Sequence, residues 1–145
     1  MDPNFSAFQE KFRVGQLTVA KTDFWTWSVR PVHSTVGAGI LSLNRYCEKL
    51  SLITEKEGAD FSRMTKIIEN TLQKAFQYDK MNYMMLMMVD LHLHYHVIPR
   101  YSTVRNFAGQ EWSDKGWPAL PVLQGDIPSD NVLLEIRDYL IKYTK

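Results

Sequence analysis

The sequence predicts an α+β domain, an antiparallel sheet with helices packed on one face. Three observations carry this expectation. His92, His94 and His96 alternate with apolar or aromatic residues, the period of a β-strand. A long apolar stripe at helical spacing runs from Phe61 to Phe76, behind a capping signal at Thr54. Between them, Asn82 to Val89 is almost wholly apolar and leads directly into the histidine run.

Asp2-Pro3 is a helix start, a capping carboxylate followed by proline at the first helical position. Phe5, Phe8 and Phe12 then mark one face of a short helix over Pro3 to Phe12. Gln16 to Ala20 alternates weakly and reads as a strand. Phe24 to Val29 is aromatic and β-branched, a second strand that Pro31 ends. His33 to Gly39 is a turn or close-approach loop, and Ile40 to Leu43 a third strand.

Thr54-Glu55-Lys56-Glu57 fits a capping box, and the helix it opens should end near Gln77. Asn82 to Val89, with Met84, Met85, Met87 and Met88, reads as a buried central strand. It should form an antiparallel hairpin with the histidine strand, over about 91–100. Tyr101 to Gln124 is loop-rich. The segment 125–145 carries a last helix, from about Asn131 to Tyr143, with Val132, Leu133, Ile136, Leu140 and Tyr143 on its apolar face.

A chain of 145 residues fits one domain, 1–145, with enough buried surface to need no staples. A net charge of +1 gives no broad basic field, which argues against a nucleic acid polymer as partner. No apolar run approaches membrane-spanning length, so no membrane partner is expected. Cys47 is alone, which suits a reducing compartment. With no signal-peptide pattern after Met1, the expected location is cytoplasmic.

The histidine strand carries the chemistry. A metal would need a third ligand from elsewhere, because one straight strand cannot bring three alternate rings to one ion; no metal is therefore assigned. Nucleophilic and acid–base work suits the row better. Neutral imidazole can attack phosphorus and hold the transferred group covalently, and a neighbouring ring can protonate what departs. Trp25 and Trp27 share one strand face, where they could stack on a base, contact a second subunit or fill the core.

The run His92-Leu93-His94-Tyr95-His96-Val97-Ile98, followed by Pro99-Arg100, resembles the motif of the histidine triad family. The chain looks most like its fragile-histidine-triad and bacterial dinucleoside-polyphosphate hydrolase branch. The resemblance implies a histidine triad sheet with a long helix and a C-terminal helix packed on it. It implies a nucleotide hydrolase or transferase for nucleotide anhydrides or phosphoramidates, working through a covalent nucleotidyl-histidine. His94 would be the nucleophile. His92 would orient it through its carbonyl, and His96 would assist the leaving group. The resemblance implies two further site residues: Arg30, whose fork of donors suits phosphate, and Asp90, at the mouth of the site. No tightly bound cofactor is implied, though Mg²⁺ can accompany the substrate. A homodimer is expected. The alternative is a catalytically weak module that binds or senses nucleotide.

The chain also departs from the pattern. Ala38 stands where many relatives have a further histidine, and Arg30 where many have a ribose-binding asparagine. The segment before the triad reads as shortened to about Met88-Val89-Asp90, without the usual polar phosphate contacts.

Overall fold

The computed structural model describes residues 1–145. Helix α1 (Pro3–Lys11) opens under the Asp2 cap, whose carboxylate accepts from the Asn4 amide at 2.7 Å. Arg13, at φ 51°, breaks the helix and starts the four-residue α2 (Val14–Leu17). The first strand therefore begins two residues later than its weak alternation suggested, as β1 (Thr18–Lys21). β2 (Trp25–Val29), β3 (Gly39–Leu43), β4 (Lys80–Met84) and β5 (His94–Arg100) complete a five-stranded antiparallel sheet in the order β1-β2-β3-β5-β4.

Helix α3 (Glu55–Phe76) starts on the expected capping box. Thr54 Oγ1 accepts from the Glu57 amide at 3.1 Å, and the Glu57 carboxylate accepts from the Thr54 amide at 2.8 Å. Arg45 donates twice to the same carboxylate, at 2.7 and 2.9 Å, and holds its pKa down to about 2. Gln77, left-handed at φ 49°, stops the helix. Helix α4 (Asp130–Lys142) is capped by Ser129.

Strand alternation gives the sheet two unlike faces. On one, Trp25, Trp27, Leu41, Leu43 and Val97 meet Met64, Ile68 and Leu72 of α3 and Leu133, Ile136 and Leu140 of α4. Both tryptophans are fully buried here, and Trp25 Nε1 donates to the Glu57 carbonyl at 2.8 Å. They are core residues facing away from the triad, so neither stacks on a base or reaches a second subunit. The opposite face carries Thr26, Ser28, Ser42, His94 and His96. Helices α1 and α2 cover it, with Phe8, Phe12 and Val14 packed on Ile40. Helices thus lie on both faces, because the phenylalanine stripe of α1 needs an apolar seat and the core face is already filled by α3 and α4.

Two sequence expectations are corrected around the hairpin. β4 is an edge strand that ends at Met84. The residues between it and β5 form a nine-residue connection, 85–93, longer than expected. Met87 takes φ 38°, which no strand tolerates, and Met88 is 83% exposed. A continuous apolar run fixes no period, so it cannot separate a strand from an apolar loop. Within the expected loop 101–124, β6 (Arg105–Phe107) and β7 (Gln110–Trp112) form a small hairpin around Ala108 and Gly109, both at positive φ.

Candidate active site

β5 runs in the interior of the sheet, between β3 and β4, which fixes both neighbours of the histidine row. His94 pairs with Ser42, and His96 with Ile40 and Met84. His92 precedes the regular strand. It still faces the same way as the other two rings, because all three touch the aromatic stripe of α1. Phe5 and Phe8 stand 4.8 and 4.9 Å from the His92 ring, Phe8 5.0 Å from His94, and Phe12 5.7 Å from His94 and 6.3 Å from His96. His94 and His96 lie edge to face at 5.1 Å.

The three rings have different bonding. His92 spends both nitrogens on main chain. Nε2 lies 2.8 Å from the Leu43 carbonyl, and Nδ1 accepts from the Cys47 amide at 3.3 Å. That fixes its proton on Nε2 and leaves no free lone pair. His94 Nδ1 lies 2.6 Å from the His92 carbonyl, so this nitrogen carries the proton. The lone pair of His94 then sits on Nε2, which has no protein partner. His96 makes no hydrogen bond, and its Nδ1 is buried without a partner.

Burial is extensive. The relative exposures of His92, His94 and His96 are 0%, 2% and 7%. Desolvation therefore lowers all three pKa values, that of His96 to about 4, and the rings are neutral at neutral pH. His96 lines a cavity. This space of about 370 Å³ lies between the end of α1, the segment after β2 and the 85–93 connection.

Arg30 and Asp90 both line that cavity, so the structure brings together His96 and the two non-histidine residues singled out by sequence. Asp90 is engaged there by Lys11, which donates to both carboxylate oxygens at 2.8 and 3.0 Å. Lys11, Phe8 and Phe12 are neighbours of the triad that the sequence did not flag. The apolar stripe of α1 was visible, but nothing in it identified histidines as its seat. His33 lies outside the site. Its Nδ1 meets the Arg30 carbonyl at 2.8 Å and its Nε2 accepts from the Gly37 amide at 3.0 Å, so it pins the loop between β2 and β3. Ala38, where the resemblance leads a further histidine to be expected, is fully buried. No group of three or more histidine, cysteine, aspartate or glutamate side chains converges as a metal site.

No protein-family model and no curated protein matches this sequence. Comparison with solved structures gives clear matches. A histidine triad protein from Sinorhizobium meliloti superposes with a TM-score of 0.71 at 18% identity, covering 90% of this chain and 93% of that one. Plasmodium falciparum diadenosine triphosphate hydrolase, solved with cyclomarin A, gives 0.68 at 12% identity, covering 97% and 95%. A zinc-bound histidine triad family protein from Mycobacterium smegmatis gives 0.60 at 14%, covering 86% and 84%. With the sheet order and the histidine row, these likenesses establish the class: the protein has the histidine triad fold.

Proposed function

We propose that the protein is a histidine triad nucleotide hydrolase or transferase acting on nucleotide anhydrides or phosphoramidates. The observation that carries the reading is the 2.6 Å contact between His94 Nδ1 and the His92 carbonyl. It commits the proton to Nδ1 and leaves Nε2 as a lone-pair donor, the state a nucleophilic imidazole needs. The likeness to a diadenosine triphosphate hydrolase supports the same chemistry.

In this reading Nε2 of His94 attacks the phosphorus of a nucleoside phosphate. A P–N bond forms, and the bond to the leaving oxygen or nitrogen breaks, with its electron pair going to the leaving group. His96, next in the row, offers a ring N–H to that atom. Water then attacks the phosphorus, the P–N bond breaks with its electron pair returning to Nε2 of His94, the water's proton passes to the departed group or to solvent, and nucleoside monophosphate is released. Mg²⁺ can accompany the substrate phosphates, and no tightly bound cofactor is invoked. The free edge of β4 supports a homodimer, and the single buried thiol, Cys47, suits a cytoplasmic location.

The test is turnover of diadenosine polyphosphates and adenosine phosphoramidates by wild type, His94→Ala and His94→Gly. The alanine variant should be inactive, and added imidazole should restore the glycine variant. Undiminished turnover by His94→Ala would exclude the mechanism. A second reading, a nucleotide-binding or sensing module with weak catalysis, draws on the cover that Phe8 and Phe12 place over the rings. Micromolar binding of nucleoside monophosphate by calorimetry, without turnover of any substrate tried, would select it.

A further inference from the structure

The protein buries two arginines on the triad side of its sheet, and they are treated differently. Arg100 is 4% exposed and fully paired. It donates to Asp114 at 2.7 and 3.2 Å and to Asn82 at 2.8 Å. Arg30 is 9% exposed and has no carboxylate partner. Its Nη1 donates to the carbonyls of Val32 and Leu123, at 2.9 and 2.6 Å. Its Nε is buried with no acceptor, and no protein group accepts from Nη2. The Nε and Nη2 hydrogens share one edge of the guanidinium, the edge that grips an oxyanion with two parallel bonds.

A buried cation without a counter-charge is unfavourable, and an anion brought to it offsets that cost. Arg30 lines the same cavity as His96, whose Nδ1 also lacks a partner. The one acid in the cavity wall, Asp90, is bound by Lys11. Lys11 and Asp90 offset one another, so Arg30 sets the sign of the cavity. Its two carbonyl bonds hold the guanidinium in place before any ligand arrives.

Building on the reading of His94 as nucleophile, we propose that Arg30 binds a second phosphate group of the substrate, beyond the phosphorus that His94 attacks. Arg30 is then a specificity-determining residue. It favours nucleotides with two phosphate groups over monophosphates and over phosphoramidates with a neutral leaving amine. The second phosphate has two chemical sources. It is the next phosphate of a polyphosphate chain, or a phosphate on the ribose.

Calorimetry with AMP, ADP, adenosine 2′,5′-bisphosphate, adenosine 3′,5′-bisphosphate and inorganic pyrophosphate tests this on wild type, Arg30→Gln, Lys11→Gln and Asp90→Asn. Wild type should bind at least one two-phosphate nucleotide about tenfold more tightly than AMP, the range of one charge-assisted contact. A preference for ADP identifies the chain, and a preference for a bisphosphate identifies the ribose. In Arg30→Gln the ratio should fall to about one. Should that variant fail to fold, the Lys11–Asp90 pair at the cavity wall decides: Lys11→Gln should lower the ratio and Asp90→Asn should raise it. Equal affinities in wild type, a ratio kept in Arg30→Gln, or, where that variant does not fold, ratios unmoved in the Lys11 and Asp90 variants would overturn the proposal. If no nucleotide binds but pyrophosphate binds in a way that depends on Arg30, the nucleotide reading fails and the anion site stands. If neither binds, both fall.

Discussion

Phe8 of helix α1 packs against His94 with ring centroids 5.0 Å apart, and it sits as close to His92. A helix held mainly by three phenylalanines and the Lys11–Asp90 pair therefore forms the roof of the triad. Phe8 is 3% exposed, so Phe8→Ala removes a buried ring and should cost about 3–5 kcal/mol in urea unfolding. The same variant should speed the acylation of His94 by diethyl pyrocarbonate, read by peptide mass spectrometry. An unchanged rate would mean that the roof does not limit access to the ring.

Acid should weaken the protein through its buried histidines. His33 and His96 titrate near 4 in the folded chain because burial disfavours their charged forms. In the unfolded chain they titrate near 6.5. Between those values the unfolded state binds more protons, so stability rises with pH through this window and is lost as pH falls through it. Each of the two groups contributes up to about 3 kcal/mol by pH 4. Urea midpoints measured from pH 7 to pH 4 should fall steadily. Turnover should also fall in acid, through a pKa below 6.5, because His94 must be neutral to attack.

Asp114→Ala should be among the most damaging changes remote from the triad. The Asp114 side chain is 1% exposed. It accepts from Arg100 and from the amides of Tyr101 and Gly116. Removing it leaves the Arg100 guanidinium buried and uncompensated at the end of the triad strand. The expected loss is about 3–5 kcal/mol by denaturant titration. A loss under about 1 kcal/mol would show that the loop relaxes to hydrate Arg100.

Gly39→Ala tests how tightly β3 is packed between β2 and the triad strand. A Cβ at Gly39 would come 2.7 Å from Trp27 Nε1 and 2.9 Å from the Ser28 carbonyl oxygen. The second contact is with backbone, which cannot swing aside. The variant should lose about 1–3 kcal/mol, measured as a lower midpoint with an unchanged denaturant slope.

Much of this molecule is set by local sequence. The capping box at Thr54, the stripe from Phe61 to Phe76, the cap at Asp2 and the alternation through His94 and His96 each depend on neighbours a few residues away. All four occur as the residues dictate. The row of three imidazoles was legible for the same reason, whereas Arg30 and Asp90 were singled out only through the resemblance of that row to the histidine triad motif.

Tertiary structure decided the rest. Which side of the sheet the Phe5–Phe8–Phe12 stripe would cover depends on which face α3 and α4 had already filled, and no local pattern encodes that. The apolar run after Met84 turned into a connection because Met87 takes a left-handed backbone, and hydropathy carries no information about dihedral angles. Arg30 has no carboxylate while Arg100 has Asp114, although the two look alike in the sequence. Their difference comes from chain crossings that bring positions 123 and 114 to them, and those contacts exist only once the loops have folded over the sheet.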